Sequence, residues 1–290
     1  MGRLWQRDNI GWLFILVATI AISLFYFYPM VQSFILSFQT GMGSNLTWAG
    51  FDNWIRLFGD PTLKQALINT FTYLIIQVPI MILLALVLSV LLNDATLKMR
   101  GFFRVAIFLP SVTSLVAYSI LFKYLFSGDG IINQFLVNLS IISQPIQFLS
   151  DPFWAKVTVI IAITWRWAGY NMIFYLSALQ NIDRSIYEAA QIDGASALQQ
   201  FFKITIPLLK PIILFTSIIS TIGTLQLFDE VMNITSGGPG NATLSISQYI
   251  YNLSFEYTPD FGYAATVSYV IVIFIIILSI FQFKVAGDKE

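Results

Sequence analysis

Residues 188–211 read EAAQIDGASALQQFFKITIPLLKP, a half-polar run of small residues with a glycine near its centre, set between two long apolar stretches. It carries no arrangement suited to catalysis or metal binding, so its purpose depends on what surrounds it. Of the 290 residues 57% are hydrophobic and only 10% charged, with a mean hydropathy of +0.76, a balance suited to lipid rather than water. Cysteine and histidine are absent, which excludes disulfide scaffolds, thiolate and imidazole metal sites, and Cys–His or Ser–His catalysis. No metal or cofactor is expected. Fifteen basic and fifteen acidic residues cancel, so net charge gives no reason to expect nucleic acid as a partner.

A helix needs roughly 20 apolar residues to cross a hydrocarbon core of about 30 Å. About six such runs occur, near 10–38, 66–92, 103–126, 153–179, 211–234 and 261–283. The expected fold is therefore an all-α membrane protein, a single transmembrane domain over residues 1–290. Runs of this length do not fit a β-barrel, whose strands alternate over about ten residues. Asp151-Pro152 predicts an N-cap and first turn for the fourth span, and Gly128-Asp129-Gly130 a turn after the third.

Lysine and arginine are retained on the cytoplasmic side. With the N-terminus inside, the inner segments hold Arg3, Arg7, Lys98, Arg100, Arg104, Arg184, Lys203, Lys210, Lys284 and Lys289, against Arg56, Lys64, Lys123 and Lys156 outside. Both termini, and the opening stretch, are expected in the cytoplasm.

Within that stretch Ser185 and Glu188 match the capping box S-x-x-E, which predicts a short helix over about Ile186–Asp193. Gly194 costs little as a left-handed C-cap, so a turn is expected there. An amphipathic segment with Leu198, Phe201, Phe202 and Ile204 available for burial then leads to Pro207 and Pro211. From physics alone this is either a plain connector or a small-residue surface that another protein approaches closely.

Glu188-Ala189-Ala190, Asp193-Gly194-Ala195, and then Ile204, Ile206 and Pro207 resemble the EAA signature of permease subunits in bacterial binding-protein-dependent ABC importers, with isoleucine at 206 where leucine is usual. Gly50-Phe51-Asp52-Asn53-Trp54, Arg100-Gly101-Phe102-Phe103-Arg104 and Thr235-Ser236-Gly237-Gly238-Pro239 are similar to the sugar-transporting, maltose-type branch. The resemblance implies an inner-membrane subunit whose loop over about 182–210 carries a coupling helix seated in a separate ATPase. It further implies a second, homologous permease subunit as heterodimer partner, an extracytoplasmic solute-binding protein and a sugar substrate. The outer segments are too short for a large periplasmic insertion.

The residues agree with a transport subunit that has no engine of its own. No G-x-x-x-x-G-K-[ST] occurs, so the chain has no P-loop for ATP. A gradient-driven carrier of a polar solute is the alternative, using Arg166 with Asp229 or Glu230 as buried ionisable groups; a non-transporting membrane assembly factor is a third. A sugar pathway needs polar groups for hydroxyls and aromatic faces for the ring. Trp167, Tyr170 and Asn171 on the fourth span, with Leu225 and Gln226 on the fifth, are the candidates, and the resemblance puts Asn171 and Gln226 near sugar-contacting positions.

Overall fold

A computed structural model describes residues 7–42 and 45–286. Arg3, Lys289 and the side chain of Arg7, which enter the charge count above, lie outside the described residues. Among the described residues five helices are long and apolar enough to cross a membrane, and a bent pair of helices passes the same test when counted together as one. Contacts divide the chain into two compact units, one taking residues up to Asp60 with Ile250–Val270, the other Pro61–Tyr249 with the residues from Ile271 onward.

In the first unit α1 (Arg7–Ile22) runs through a π-helical stretch, Ser23–Phe27, into α2 (Tyr28–Leu36). Pro29 in the first turn of α2 has no amide to give, and the wider turn falls where the ladder loses that donor. A hairpin of β1 (Gln39–Met42) and β2 (Asn45–Trp48) follows, pairing Gln39 with Trp48, and then α3 (Asp52–Gly59). Asn53 is buried and donates to the Ser37 and Gln39 carbonyls at 3.1 and 2.8 Å. The start of the last span, Phe261–Ala286, is tied to this group through Thr266, which donates to Ser37 O at 3.1 Å, and through Tyr263, which donates to Asp60 at 2.6 Å. Arg56 pairs with Asp260 at 2.6 Å and lies 3.8 Å over the Tyr263 ring.

The second unit is built on α4 (Pro61–Asn93), packed along much of its length against α8 (Pro152–Leu179). Asp151 caps α8 as expected, accepting from the amides of Phe153 at 2.9 Å and Trp154 at 3.0 Å. Ala85, Leu86, Met172, Tyr175 and Leu209 form one buried cluster, where Tyr175 and Thr216 hydroxyls meet at 2.6 Å. Small residues let the helices approach, and such hydrogen bonds hold helices together where lipid offers no hydrophobic drive. Tyr73, Val159, Ile163, Leu227 and Val231 form a second cluster, and Tyr118, Phe122, Phe126 and Phe148 contribute to an aromatic third.

Two spans depart from the sequence reading. The third is not one helix over 103–126: α5 (Arg100–Val112) and α6 (Leu115–Leu125) meet at 100°. Thr113 and Ser114 are extended there, after Pro110, and the Thr113 hydroxyl turns back to the Pro110 carbonyl at 2.8 Å. Hydropathy counts those residues as part of a span; their backbone preferences end it. After α7 (Ile131–Asn138), α8 and the loop helices α9 (Arg184–Ile192) and α10 (Ala197–Gln200), the fifth span also differs. It runs from Ala197 through a π-helical stretch, Phe201–Thr205, and α11 (Ile206–Leu225), and stops at Leu225 rather than at residue 234. Pro207 lies in the first turn of α11 directly after the π-helical stretch, so here too, as at Pro29, the wider turn falls where the ladder loses a donor. Gln226 closes α11, and α12 (Asp229–Ile234) is a separate short helix.

Candidate functional site: the loop helix and the cavity between spans

The first site is the loop after α8. Asp183, not Ser185, is the N-cap of α9, its carboxylate accepting from the Ser185 amide at 2.9 Å. That bond holds the Asp183 carboxyl below its ordinary value of 3.8. The expected Ser185–Glu188 box therefore does not form: Ser185 is already inside the helix, two residues too late to cap it. A capping box does occur further on, where Ser196 and Gln199 satisfy each other's amides. Aspartate at the helix entrance is as good a cap as serine, and Asp183-Arg184-Ser185 carried that signal.

The helix ends at Ile192, and Gly194 adopts φ +77. The Ala195 amide returns to Ala190 O at 2.9 Å and the Gly194 amide to Gln191 O at 3.0 Å, so the predicted left-handed turn is present. Glu188, Ala189 and Asp193 face outward on this exposed helix, Ala190 is half-buried, and no residue of α9 is buried. Tyr187 ties the helix back, its hydroxyl 3.0 Å from that of Thr205. Leu198 and Phe202, expected to be available for burial, are 70% and 58% exposed. Phe201 and Ile204 are half-buried and Thr205 is buried instead. A groove of about 830 Å³ runs beside α9, with Arg100, Arg104, Arg184 and Glu188 in its wall.

The second site is a cavity of about 280 Å³ bounded by α4, α8, α11 and the start of α12. Trp167, Tyr170, Asn171 and Gln226, named from the sequence, all line it; Leu225 does not, being fully buried. Spacing explains the α8 set, since Ile163, Trp167, Tyr170 and Asn171 fall at helical intervals on one face. Asn171 is buried and donates to Trp167 O at 3.1 Å and towards Met81 Sδ at 3.5 Å, whereas Gln226 is exposed. Gln77, Ser220 and Thr224 were not singled out in the sequence. Gln77 is 1% exposed and accepts from Thr224 Oγ1 at 3.3 Å, joining α4 to α11 across the cavity wall. A lone glutamine inside the apolar run Leu74-Ile75-Ile76-Gln77-Val78 was the available signal.

Arg166, one residue before Trp167, is turned elsewhere. Its Nη2 donates to Thr113 O at 3.0 Å and Ser111 O at 3.4 Å, the carbonyls opened at the α5–α6 break, and the guanidinium stands 5.0 Å over the Tyr118 ring. Glu230 is buried at the start of α12 and accepts from Trp167 Nε1 at 3.4 Å.

Residues 95–287 match the family described as the inner membrane component of binding-protein-dependent transport systems. The lactose transport system permease protein LacF of Rhizobium radiobacter is 58% identical over 98% of this chain and 96% of its own length. The arabinooligosaccharides transport system permease protein AraP of Halalkalibacterium halodurans is 36% identical over 90% of this chain and 82% of its own. A solved bacterial alginate ABC transporter, in complex with an alginate pentasaccharide-bound periplasmic protein, contains a chain that superposes with a TM-score of 0.85 at 24% identity, covering 97% of this chain and 95% of that one. At that identity the likeness speaks for the fold, and the apolar helices fit a multi-pass inner-membrane protein. The chain belongs to the inner membrane components of binding-protein-dependent transport systems, the permease subunits of ABC transporters.

Proposed function

We propose that this chain is one of two permease subunits of an ATP-driven saccharide importer, with both termini in the cytoplasm. The loop over about 182–210 couples it to a separate ATPase. The form of α9 carries this reading. It has no buried residue and is held by the Asp183 cap at one end, the Gly194 turn at the other and Tyr187 between. Ile186 and Ile192 lie 41% and 88% exposed on it. A pinned helix with an apolar edge is suited to a groove on another protein, which supplies the burial it lacks here. Glu188, Ala189, Ala190, Asp193, Gly194, Ala195 and Pro207 form the coupling set.

The partners are a second homologous permease chain, ATPase subunits and an extracytoplasmic solute-binding protein. This chain catalyses no reaction; ATP is hydrolysed in the partner. The cavity with Trp167, Tyr170, Asn171 and Gln226 is its share of the pathway, and relatives named for lactose and arabinooligosaccharide transport support a saccharide as cargo. A gradient-driven carrier would use Arg166 with Asp229 or Glu230, and the bonds these side chains make, Arg166 Nη2 to the α5 carbonyls and the Trp167 indole to Glu230, do not favour it.

Affinity purification of the tagged chain should bring down a nucleotide-hydrolysing subunit, and hydrolysis by the reconstituted assembly should rise with one class of saccharide presented on its binding protein. Uptake that persists without any ATPase would overturn the reading.

A further inference from the structure

The cavity between α4, α8 and α11 has an uneven charge. Asp229 and Glu230, from the first turn of α12, both line it; among the described lining residues none is lysine or arginine. Glu230 is 5% exposed and Asp229 half-buried, so neither is a free surface charge. Arg166 does not join the lining: its guanidinium lies behind the wall, 5.6 Å from the Trp167 ring, with Nη2 directed to the Ser111 and Thr113 carbonyls, so among the described residues no cation faces the space itself. The remaining polar lining is neutral, chiefly the amides of Gln77, Asn171 and Gln226 with the Trp167 indole.

A ligand entering this space exchanges water for those groups. Hydroxyls find donors and acceptors in amides, so an uncharged saccharide loses little. A carboxylate, sulfonate or phosphate must give up its hydration, and burying such a charge without a paired cation is costly. The two acidic side chains add repulsion where they are ionised and supply no counter-charge where they are not. Like-charge juxtaposition is a common means of rejecting a wrong partner.

We infer that this cavity selects uncharged saccharides and rejects anionic ones, with Asp229 and Glu230 as the residues that set the sign. The inference rests on the cavity being the saccharide pathway proposed above. It adds a selection step in the membrane, independent of the solute-binding protein.

The test uses the complete assembly in nanodiscs without its binding protein, probed by saturation-transfer NMR with lactose and with lactobionate, a sugar acid of similar size. Lactose should bind, and lactobionate should bind at least roughly tenfold more weakly. Gln226→Lys, at an exposed lining position, should narrow that gap by about tenfold while the melting temperature holds. Equal binding of the two probes by the wild type, as when the second permease chain supplies a cation, would overturn the selection while leaving the pathway intact. A Gln226→Lys assembly that still rejects lactobionate would overturn it as well. Binding of neither probe would remove the pathway reading and the selection together.

Discussion

A β-carbon on Gly169 would overlap the carbonyl oxygen of Ile107. Helix α5 thus lies against α8 at a point where only glycine leaves room, and three residues earlier Arg166 takes the carbonyls at the end of the same helix. Gly169→Ala should force the two apart, at an overpacking cost of about 1–3 kcal/mol. Thermal melting of the purified assembly in detergent checks it; an unchanged midpoint would mean that α5 shifts freely.

Gly194 presents the opposite case, since a β-carbon there would meet open space while φ is +77. Any penalty is therefore conformational. Valine should resist the left-handed backbone by roughly 1–2 kcal/mol, and asparagine should tolerate it. We expect Gly194→Val to insert normally and lose saccharide-stimulated ATP hydrolysis, with Gly194→Asn near wild type. Hydrolysis and uptake, measured side by side in proteoliposomes, decide the point.

The α9 cap predicts a pH response of definite sign. Because the Ser185 amide holds the Asp183 carboxyl below its ordinary 3.8, the cap contributes fully above that value and is lost as pH falls through the depressed one. Hydrogen exchange at the Ser185 amide should show protection falling only in that acid range, after correction for intrinsic rates. Asp183→Asn should keep a cap and lose the pH dependence, whereas Asp183→Ala should weaken protection at every pH.

Glu188 has no part in capping α9, so removing its charge tests contact with a partner directly. Glu188→Gln should leave melting unchanged and weaken retention of the ATPase about tenfold, the scale of one lost charged contact. The difference should fade as ionic strength rises, and equal co-purification of both proteins at low ionic strength would assign Glu188 no such contact.

The two amides named from the sequence now separate. Asn171 is buried and already bonded within α8 and towards α4, so Asn171→Leu should lower stability, by about 0.6 kcal/mol for an average membrane hydrogen bond. Gln226 is exposed on the cavity. Gln226→Leu should leave melting unchanged and reduce apparent affinity for the transported saccharide. Melting curves beside uptake kinetics would show the pair either dividing in this way or failing to.

What could be read in advance follows the range of the interactions involved. Span existence depends on apolar run length, and four of the runs lie within a few residues of their helices, apart from the early start of the second at Pro61. The Gly194 turn and the Asp151 cap are set by one or two local residues and were also legible. The α5–α6 break was not, because hydropathy counts Thr113 and Ser114 as part of the span and the donor to the carbonyls they open, Arg166, lies 53 residues away from Thr113. Gln226 was placed inside a span for a similar reason: Leu227 is held by Ser245, whose hydroxyl donates to the Leu227 carbonyl at 2.6 Å. The cap of α9 was legible and misassigned, two adequate caps standing two residues apart.

The break at Thr113 also bears on how the protein is made. Lipid offers no donor to an open carbonyl, so a third span ending in the exposed carbonyls of Ser111 and Thr113 is a poor insertion substrate alone. An α8 carrying arginine near its midpoint is no better. Each supplies what the other lacks, yet the ribosome delivers them dozens of residues apart. Stable insertion of α5 and α6 is therefore expected to wait until α8 emerges. A nascent chain halted before Arg166 is already anchored by its first two spans, but its α5–α6 segment should still crosslink to the insertion machinery, and that crosslink should be lost once α8 has fully emerged.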